Sequence, residues 1–207
     1  MSPRPDAPFK DDLNMTLERA LHMLVRGAAD RKSPFHTPVF ATQGGLFGVD
    51  ARTVVLREFS PENRFLRFHS DIRTGKHDHI SDAGKGVFVF YDPGARVQLR
   101  AYGSCATHQE DDVANTAWAN SQHFSRRCYM APIGPGSPAD GPTSGLPEKV
   151  EGRVPTEEET REGRPHFSAV VLTMTSLDWL FLAHDGHRRA RFHWDGDGHC
   201  TKEWLIP

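Results

Sequence analysis

Arg52-Thr53-Val54-Val55-Leu56-Arg57 and, after a short turn, Phe65-Leu66-Arg67-Phe68-His69-Ser70-Asp71-Ile72-Arg73-Thr74-Gly75-Lys76 decide how this chain is read. The pattern predicts two antiparallel strands, 52–58 and 64–70, then a helix entered at Thr74 and left at Gly84. Ser60-Pro61-Glu62-Asn63 between the strands is rich in turn formers. Arg52, Arg57, Arg67, Arg73 and Lys76 stand in or beside apolar strand residues. A cation on a half-buried sheet needs an anionic partner, because an unpaired buried charge is costly. A phosphate ester is gripped by guanidinium forks, an ammonium and hydroxyls or N–H groups at a helix start. Arg52, Arg57, Ser70, Arg73, Thr74 and Lys76 supply that set. Ion pairs with Glu58 and Asp71 are the other reading of the same residues.

Upstream, Leu13, Leu17, Leu21, Leu24, Val25 and Ala28 recur at helical spacing. They predict an amphipathic helix over 12–30, capped at Asp11 or Asp12 and stopped by Pro34. Residues 1–10, polar and proline-rich, are expected to be disordered. Strands are expected at 38–42 and 46–49 around Gln43-Gly44-Gly45. Downstream, Gly86–Tyr91 is an uninterrupted apolar strand, expected to be buried on both faces. The strand 96–107 alternates, with Val97, Leu99 and Ala101 on one face and Gln98, Arg100 and Tyr102 on the other. Gly103 marks a bulge or bend. A second helix spans about 110–120, with acidic residues at its start. An insertion at about 132–165 combines a Pro/Gly loop with a helix opened by the capping pattern Thr156-x-x-Glu159. Strands at 167–175, 177–183, 190–194 and 200–206 follow, joined by Asp-Gly turns. Hairpins dominate and helices sit at crossovers. The fold class is mainly β with α (α+β), a partly closed antiparallel barrel flanked by helices.

The 207 residues make one domain, taken as 11–207, large enough to bury a core without staples. A formal net charge of -2 gives no electrostatic footprint for nucleic acid. No apolar run approaches a membrane span, and the beginning of the chain has no signal-peptide core. Three scattered cysteines fit reduced thiols, so a cytoplasmic protein is expected. No dinucleotide, P-loop or nucleophile-elbow motif occurs. His77-x-His79, and the cluster His184, His187, His193 and His199, match no metal-ligand spacing, so no metal is expected.

Four stretches in order resemble the FMN-binding split barrels of the pyridoxamine 5′-phosphate oxidase family: 52–57, Phe68–Lys76, Gln98–Gly103 and Ser125-Arg126. They resemble more closely a subgroup with an R-x-V-x-L-R strand and a T-D-x-R-S-x-K turn than the vitamin B6 oxidase itself. Trp118 and the segment 126–138, ending Pro-Gly-Ser-Pro, also resemble that subgroup. The resemblance implies a homodimer with FMN at the subunit interface. It implies that Arg52, Ser70, Arg73, Thr74 and Lys76 hold the phosphate and ribityl chain. His69 belongs to the same strand end. Thr53, Val54, Val55, Leu56 and Arg57 would run beside the flavin ring, and Gln98 would meet its polar edge. His123, Arg126 and Arg191 would come from the other subunit. Gly75 stands where the oxidases carry a second arginine, and 187–192 lacks the Leu-His-Asp core of their substrate motif. The resemblance therefore implies an FMN-dependent oxidoreductase of a small-molecule substrate, with the vitamin B6 reaction itself not expected. A non-catalytic flavin- or haem-binding carrier or sensor is the alternative.

Overall fold

The computed structural model describes residues 8–46 and 48–207. The first helix, α1 (Leu13–Ala29), starts where Asp12 accepts a hydrogen bond from the Met15 N–H, and its buried stripe is Thr16, Ala20, Leu24 and Gly27. Gly27 is needed there, since a Cβ would lie 2.7 Å from that of Phe35. The expected disorder of residues 1–10 falls partly outside the described residues. Residues 8–10 themselves are in a 3-10 turn, and Phe9 meets Trp179 and Phe181 edge-on.

Among the described residues nine strands follow: β1 (Val39–Gln43), β2 (Val49–Thr53), β3 (Leu56–Ser60), β4 (Phe65–Asp71), β5 (Lys85–Asp92), β6 (Val97–His108), β7 (Phe167–Phe181), β8 (Arg188–Trp194) and β9 (Cys200–Leu205). Helices α2 (Lys76–Ala83), α3 (Asp112–Ala119), α4 (His123–Arg126) and α5 (Glu157–Thr160) sit between them. All pairings are antiparallel. The sheet runs β2-β1-β5-β6-β7-β4-β3 without closing on itself, and β8 and β9 extend it from β7. This is a split barrel, α+β in class, as expected. Its interior is aromatic: Phe40, Phe68, Phe88, Phe90 and Trp179 are fully buried. Phe40, Phe68 and Phe88 are in mutual contact at centroid distances of 4.8–5.8 Å, inside the range for favourable ring pairs.

Four expectations are corrected. First, 52–58 is not one strand. Arg52 and Thr53 end β2, and Leu56 starts β3, at the opposite end of the sheet path. The Val54 N–H donates to the Pro38 carbonyl, which closes the β1–β2 hairpin before the chain crosses to the other edge. The returning partner of β1 is therefore 49–53 and not 46–49; Phe47, placed in that return, lies outside the described residues. Second, the strands expected at 167–175 and 177–183 are one strand, β7. The irregularity is a bulge within β7: Tyr102 pairs with Ser176 and Gly103 with Met174, which leaves Thr175 unpaired at the expected break. A Cβ on Gly103 would be 2.0 Å from the Thr173 carbonyl oxygen, so only glycine permits this approach. Third, β5 is not buried on both faces. Phe88 and Phe90 point inward, Val87 and Val89 are half-buried, and Tyr91 is exposed. Fourth, α2 begins at Lys76 rather than Thr74, and ends at Gly84 in the left-handed conformation (φ 61°).

Candidate functional site

Strand β4 carries the site on its two faces. Leu66, Phe68 and Ser70 point inward, while Arg67 and His69 point the other way. At its end the chain turns into α2, and three polar groups converge. The Lys76 Nζ donates to Ser70 Oγ at 3.0 Å and to Thr74 Oγ1 at 2.6 Å. Thr74 Oγ1 lies 3.3 Å from Ser70 Oγ and donates to the Asp71 carbonyl. Arg52 reaches in from β2: its NH1 donates to Thr42 Oγ1 at 3.0 Å and to the Phe40 carbonyl, and its NH2 pairs with Asp50. Burial pushes the Lys76 ammonium down to about 8, and the positive charge of Arg52 adds to the effect. A largely desolvated ammonium within the field of a second cation is an arrangement that could cradle an anion.

Arg73 does not join this group. Its Nε and backbone N–H both donate to Asp71 Oδ1 at 2.9 Å, its NH2 donates to Asp71 Oδ2 at 2.6 Å, and its NH1 donates to the Pro132 carbonyl. Burial works to raise the Asp71 carboxyl, but the Arg73 guanidinium and N–H outweigh it and hold it below the usual carboxylate range. Arg73 thus ties the cradle turn to the start of the 132–165 insertion.

The other face of β4 opens on a pocket of 240 Å³ walled by α1, β3, β4 and the α3–α4 segment. Leu56, Arg57, Arg67, His69, Ser121 and Ser125 are among its lining. Arg57 is there because β3 bulges between Leu56 and Glu58, which leaves Arg57 unpaired and redirects it. His69 Nδ1 is 3.4 Å from Ser121 Oγ, whose proton goes to the Ala117 carbonyl at 2.7 Å. That fixes the proton on Nδ1 and leaves Nε2 a buried acceptor without a partner. Burial, then the charges of Arg57 and Arg67, push His69 down to about 3. The imidazole is neutral at physiological pH. Arg67 also pairs with Glu58.

The remaining candidates are dispersed. Thr53 is the exposed last residue of β2, and Val54 and Val55 form the half-buried link to β3. Gln98 is half-buried on β6 opposite Tyr91 and Leu180. Arg191 lies in a separate open cleft with Arg100, Tyr102 and Asp178, and pairs with Glu203 at 3.6 Å. His123 opens α4, half-buried. Arg126 is buried and fully engaged: it donates to the Trp118 and Ala119 carbonyls at the end of α3 and stacks over Trp118 at 4.9 Å. Sequence reasoning did not place Thr42, Asp50, Arg67, His77 and Ser121 in the site, although it counted Arg67 among the strand cations and weighed His77 as a metal ligand. Only Arg67 had a usable signal, its two-residue spacing from His69.

Among the described residues no group of His, Cys, Asp or Glu could hold a metal ion, and no helix is long and apolar enough to cross a membrane.

Residues 14–109, which contain the cradle, α2 and all of β1–β6, match the family model described as pyridoxamine 5′-phosphate oxidase, FMN-binding domain. By this match the stretch is similar to the FMN-binding domains of the pyridoxamine 5′-phosphate oxidase family. No curated protein matches the chain. Among solved structures, the domain and its C-terminal strands are similar to a pyridoxamine 5′-phosphate oxidase-related, FMN-binding protein of Nostoc punctiforme, at 22% identity over 92% of this chain and 96% of that one, TM-score 0.69. They are similar also to PhzG of Burkholderia lata, solved with tetrahydrophenazine-1-carboxylic acid, at 16% identity over all of both chains, TM-score 0.64. A third relative in shape is a general stress protein 26-related protein of Clostridium acetobutylicum, at 11% identity over 86% of this chain and 94% of that one, TM-score 0.52. At these identities the likeness is one of fold. FMN is the cofactor of the family domain.

Proposed function

We propose that this protein is an FMN-dependent oxidoreductase acting on a small anionic molecule, and that it works as a homodimer with the flavin at the subunit interface. The observation that carries the reading is the cradle of Arg52, Ser70, Thr74 and Lys76. Its desolvated ammonium sits between two hydroxyls beside a guanidinium, which suits a phosphate dianion. These four residues would hold the FMN phosphate. The segment 53–57, with His69 and Gln98, would run beside the rest of the flavin. Arg73 would act on the phosphate site indirectly, by fixing the turn. Bound FMN supplies hydride acceptance and electron transfer to oxygen or another acceptor.

The chain's own residues would do the rest. Arg57 and Arg67 would pair with a negatively charged group in the 240 Å³ pocket, and the free Nε2 of His69 would accept a hydrogen bond from a neighbouring N–H or O–H of the substrate. A neutral imidazole between two guanidinium groups selects a ligand that carries both an anion and a donor. His123 and Arg191 would reach a site of the partner subunit. Arg126 would serve it only by holding α3 and α4 in place. The half-buried Val87 and Val89 and the exposed Val39 and Tyr91 offer an apolar strand face that a second copy would cover.

The test is direct. Purified protein should be yellow, should release FMN on denaturation and should gain thermal stability from added FMN. A colourless protein that gains nothing from FMN overturns the reading. Oxygen uptake with pyridoxamine phosphate should be negligible.

A further inference from the structure

His77 follows Lys76 in the first turn of α2 but points away from the cradle. It is 7% exposed, and both ring nitrogens are engaged. Nε2 lies 3.2 Å from Ser168 Oγ, and Nδ1 lies 2.9 Å from Thr107 Oγ1. The single proton of Ser168 goes to the Ser70 carbonyl at 2.8 Å. Ser168 must therefore accept from His77, so Nε2 carries the ring proton and Nδ1 accepts from Thr107. Burial, then the nearby charge of Lys76, lowers His77 to about 4, so the neutral ring that this pattern needs is the form present. The result is an oriented relay, Thr107 to His77 to Ser168 to the backbone of Ser70. It joins β6, α2, β7 and β4. Two of its members bear on the cradle: His77, which adjoins Lys76 in the first turn of α2, and Ser70, whose hydroxyl receives the ammonium. A relay whose groups are all satisfied costs little to bury and holds one geometry.

We propose that His77 is a positioning residue for the phosphate cradle, setting the Lys76–Ser70 separation through Ser168 and through the first turn of α2. This rests on the cradle reading given above. His77 touches no ligand; it acts on groups that do. The prediction is specific to phosphate, because the relay reaches only the cradle end of β4.

The experiment compares binding of FMN and riboflavin, which lacks the phosphate, by fluorescence quenching. Wild type should prefer FMN. In His77→Phe, which keeps a ring of similar size without its hydrogen bonds, FMN affinity should fall about tenfold, as when an outer hydrogen-bond partner of a ligand-binding group is lost. Riboflavin affinity should be unchanged, so the preference shrinks by the same factor. His77→Gln, which can still donate to Ser168, should recover most of it. Ser168→Ala, a smaller change in case the first variant folds poorly, should lose preference in the same direction. Equal loss of FMN and riboflavin binding, or no loss of preference in Ser168→Ala, overturns the proposal while the cradle stands. A wild type that binds both flavins equally overturns the cradle and this inference together.

Discussion

Lys76 and Ser70 are six residues apart in sequence, and the ammonium of the first donates to the hydroxyl of the second across 3.0 Å. The contact bridges the end of a strand and the start of a helix, and no charge there answers the lysine directly. Asp50 and Asp71, which would favour its charged form, are already paired with Arg52 and Arg73.

Lys76→Ala should weaken FMN binding about 10- to 100-fold, the size of one charge-assisted contact at 1.5–3 kcal/mol. Riboflavin binding should change little. Affinity for FMN should also fall as pH rises above about 8, where the free protein gives up the Lys76 proton. Titration by fluorescence at pH 6 to 10 reads both effects. A flat profile in wild type would place the phosphate elsewhere.

His69 and His77 should remain neutral down to about pH 3 and 4, well below their ordinary value of 6.5. In the unfolded chain both take up protons near 6.5. The unfolded state thus binds more protons in the window from 6.5 down to 3, and stability falls as pH falls through it. Histidine ring resonances followed by NMR should show two that do not titrate between pH 5 and 8, and the denaturant midpoint should drop between pH 6.5 and 4.

Gly103→Ala should destabilise the fold by about 3 kcal/mol, the upper part of the range for an overpacked site. The added methyl would meet the Thr173 carbonyl oxygen at 2.0 Å, and backbone cannot rotate aside as a side chain can. Thermal melting of the variant checks it; an unchanged midpoint would show that the bulge relaxes freely.

Asp178 is 3% exposed and is held by Arg100 at 3.0 Å and Arg189 at 2.9 Å. Asp178→Ala strands two half-buried guanidinium groups and should cost about 2 kcal/mol, below the usual figure for a fully buried pair because both arginines reach solvent. A double variant that also replaces Arg189 with methionine should recover part of the loss. Chemical denaturation of the single and double variants measures the coupling.

Much of this was legible in the chain. Period-two alternation in 96–107 placed Val97, Leu99 and Ala101 inward, as they are, and Gly103 marked the irregular step, although the extra residue there is Thr175 on the facing strand. The capping box at Thr156 and Glu159 formed as written. The sequence also brought Arg52, Ser70, Thr74 and Lys76 together, since a strand running into a helix fixes three of them within seven residues. What it hid depends on contacts far apart in the chain. Thr42 meets Arg52 only because β1 and β2 pair in one particular register. Arg73 was expected at the phosphate, and the sequence did not show that its guanidinium would pair with Asp71 two residues earlier. Nor did it show that Arg126, also expected at the cofactor, would bind the carbonyls at the end of α3. A local pattern cannot tell which of two acceptors a guanidinium will choose. Nor could β5 reveal that its outward valines stay half-bare, because an apolar run reads alike whether a neighbour covers it or not.

Ser70 and His69 are consecutive, yet one belongs to the cradle and the other to the pocket behind it. The pleat of β4 is all that separates them. Seven pairs in unbroken register with β7, from Phe65 with Thr173 to Asp71 with Phe167, hold that pleat in place. A slip of one residue would turn every side chain to the opposite face. The imidazole would then stand beside Lys76, and the hydroxyl would face Arg57. In this protein, strand alignment acts as an address label, and a chain misaligned by a single step would keep its barrel while delivering each chemical group to the wrong compartment.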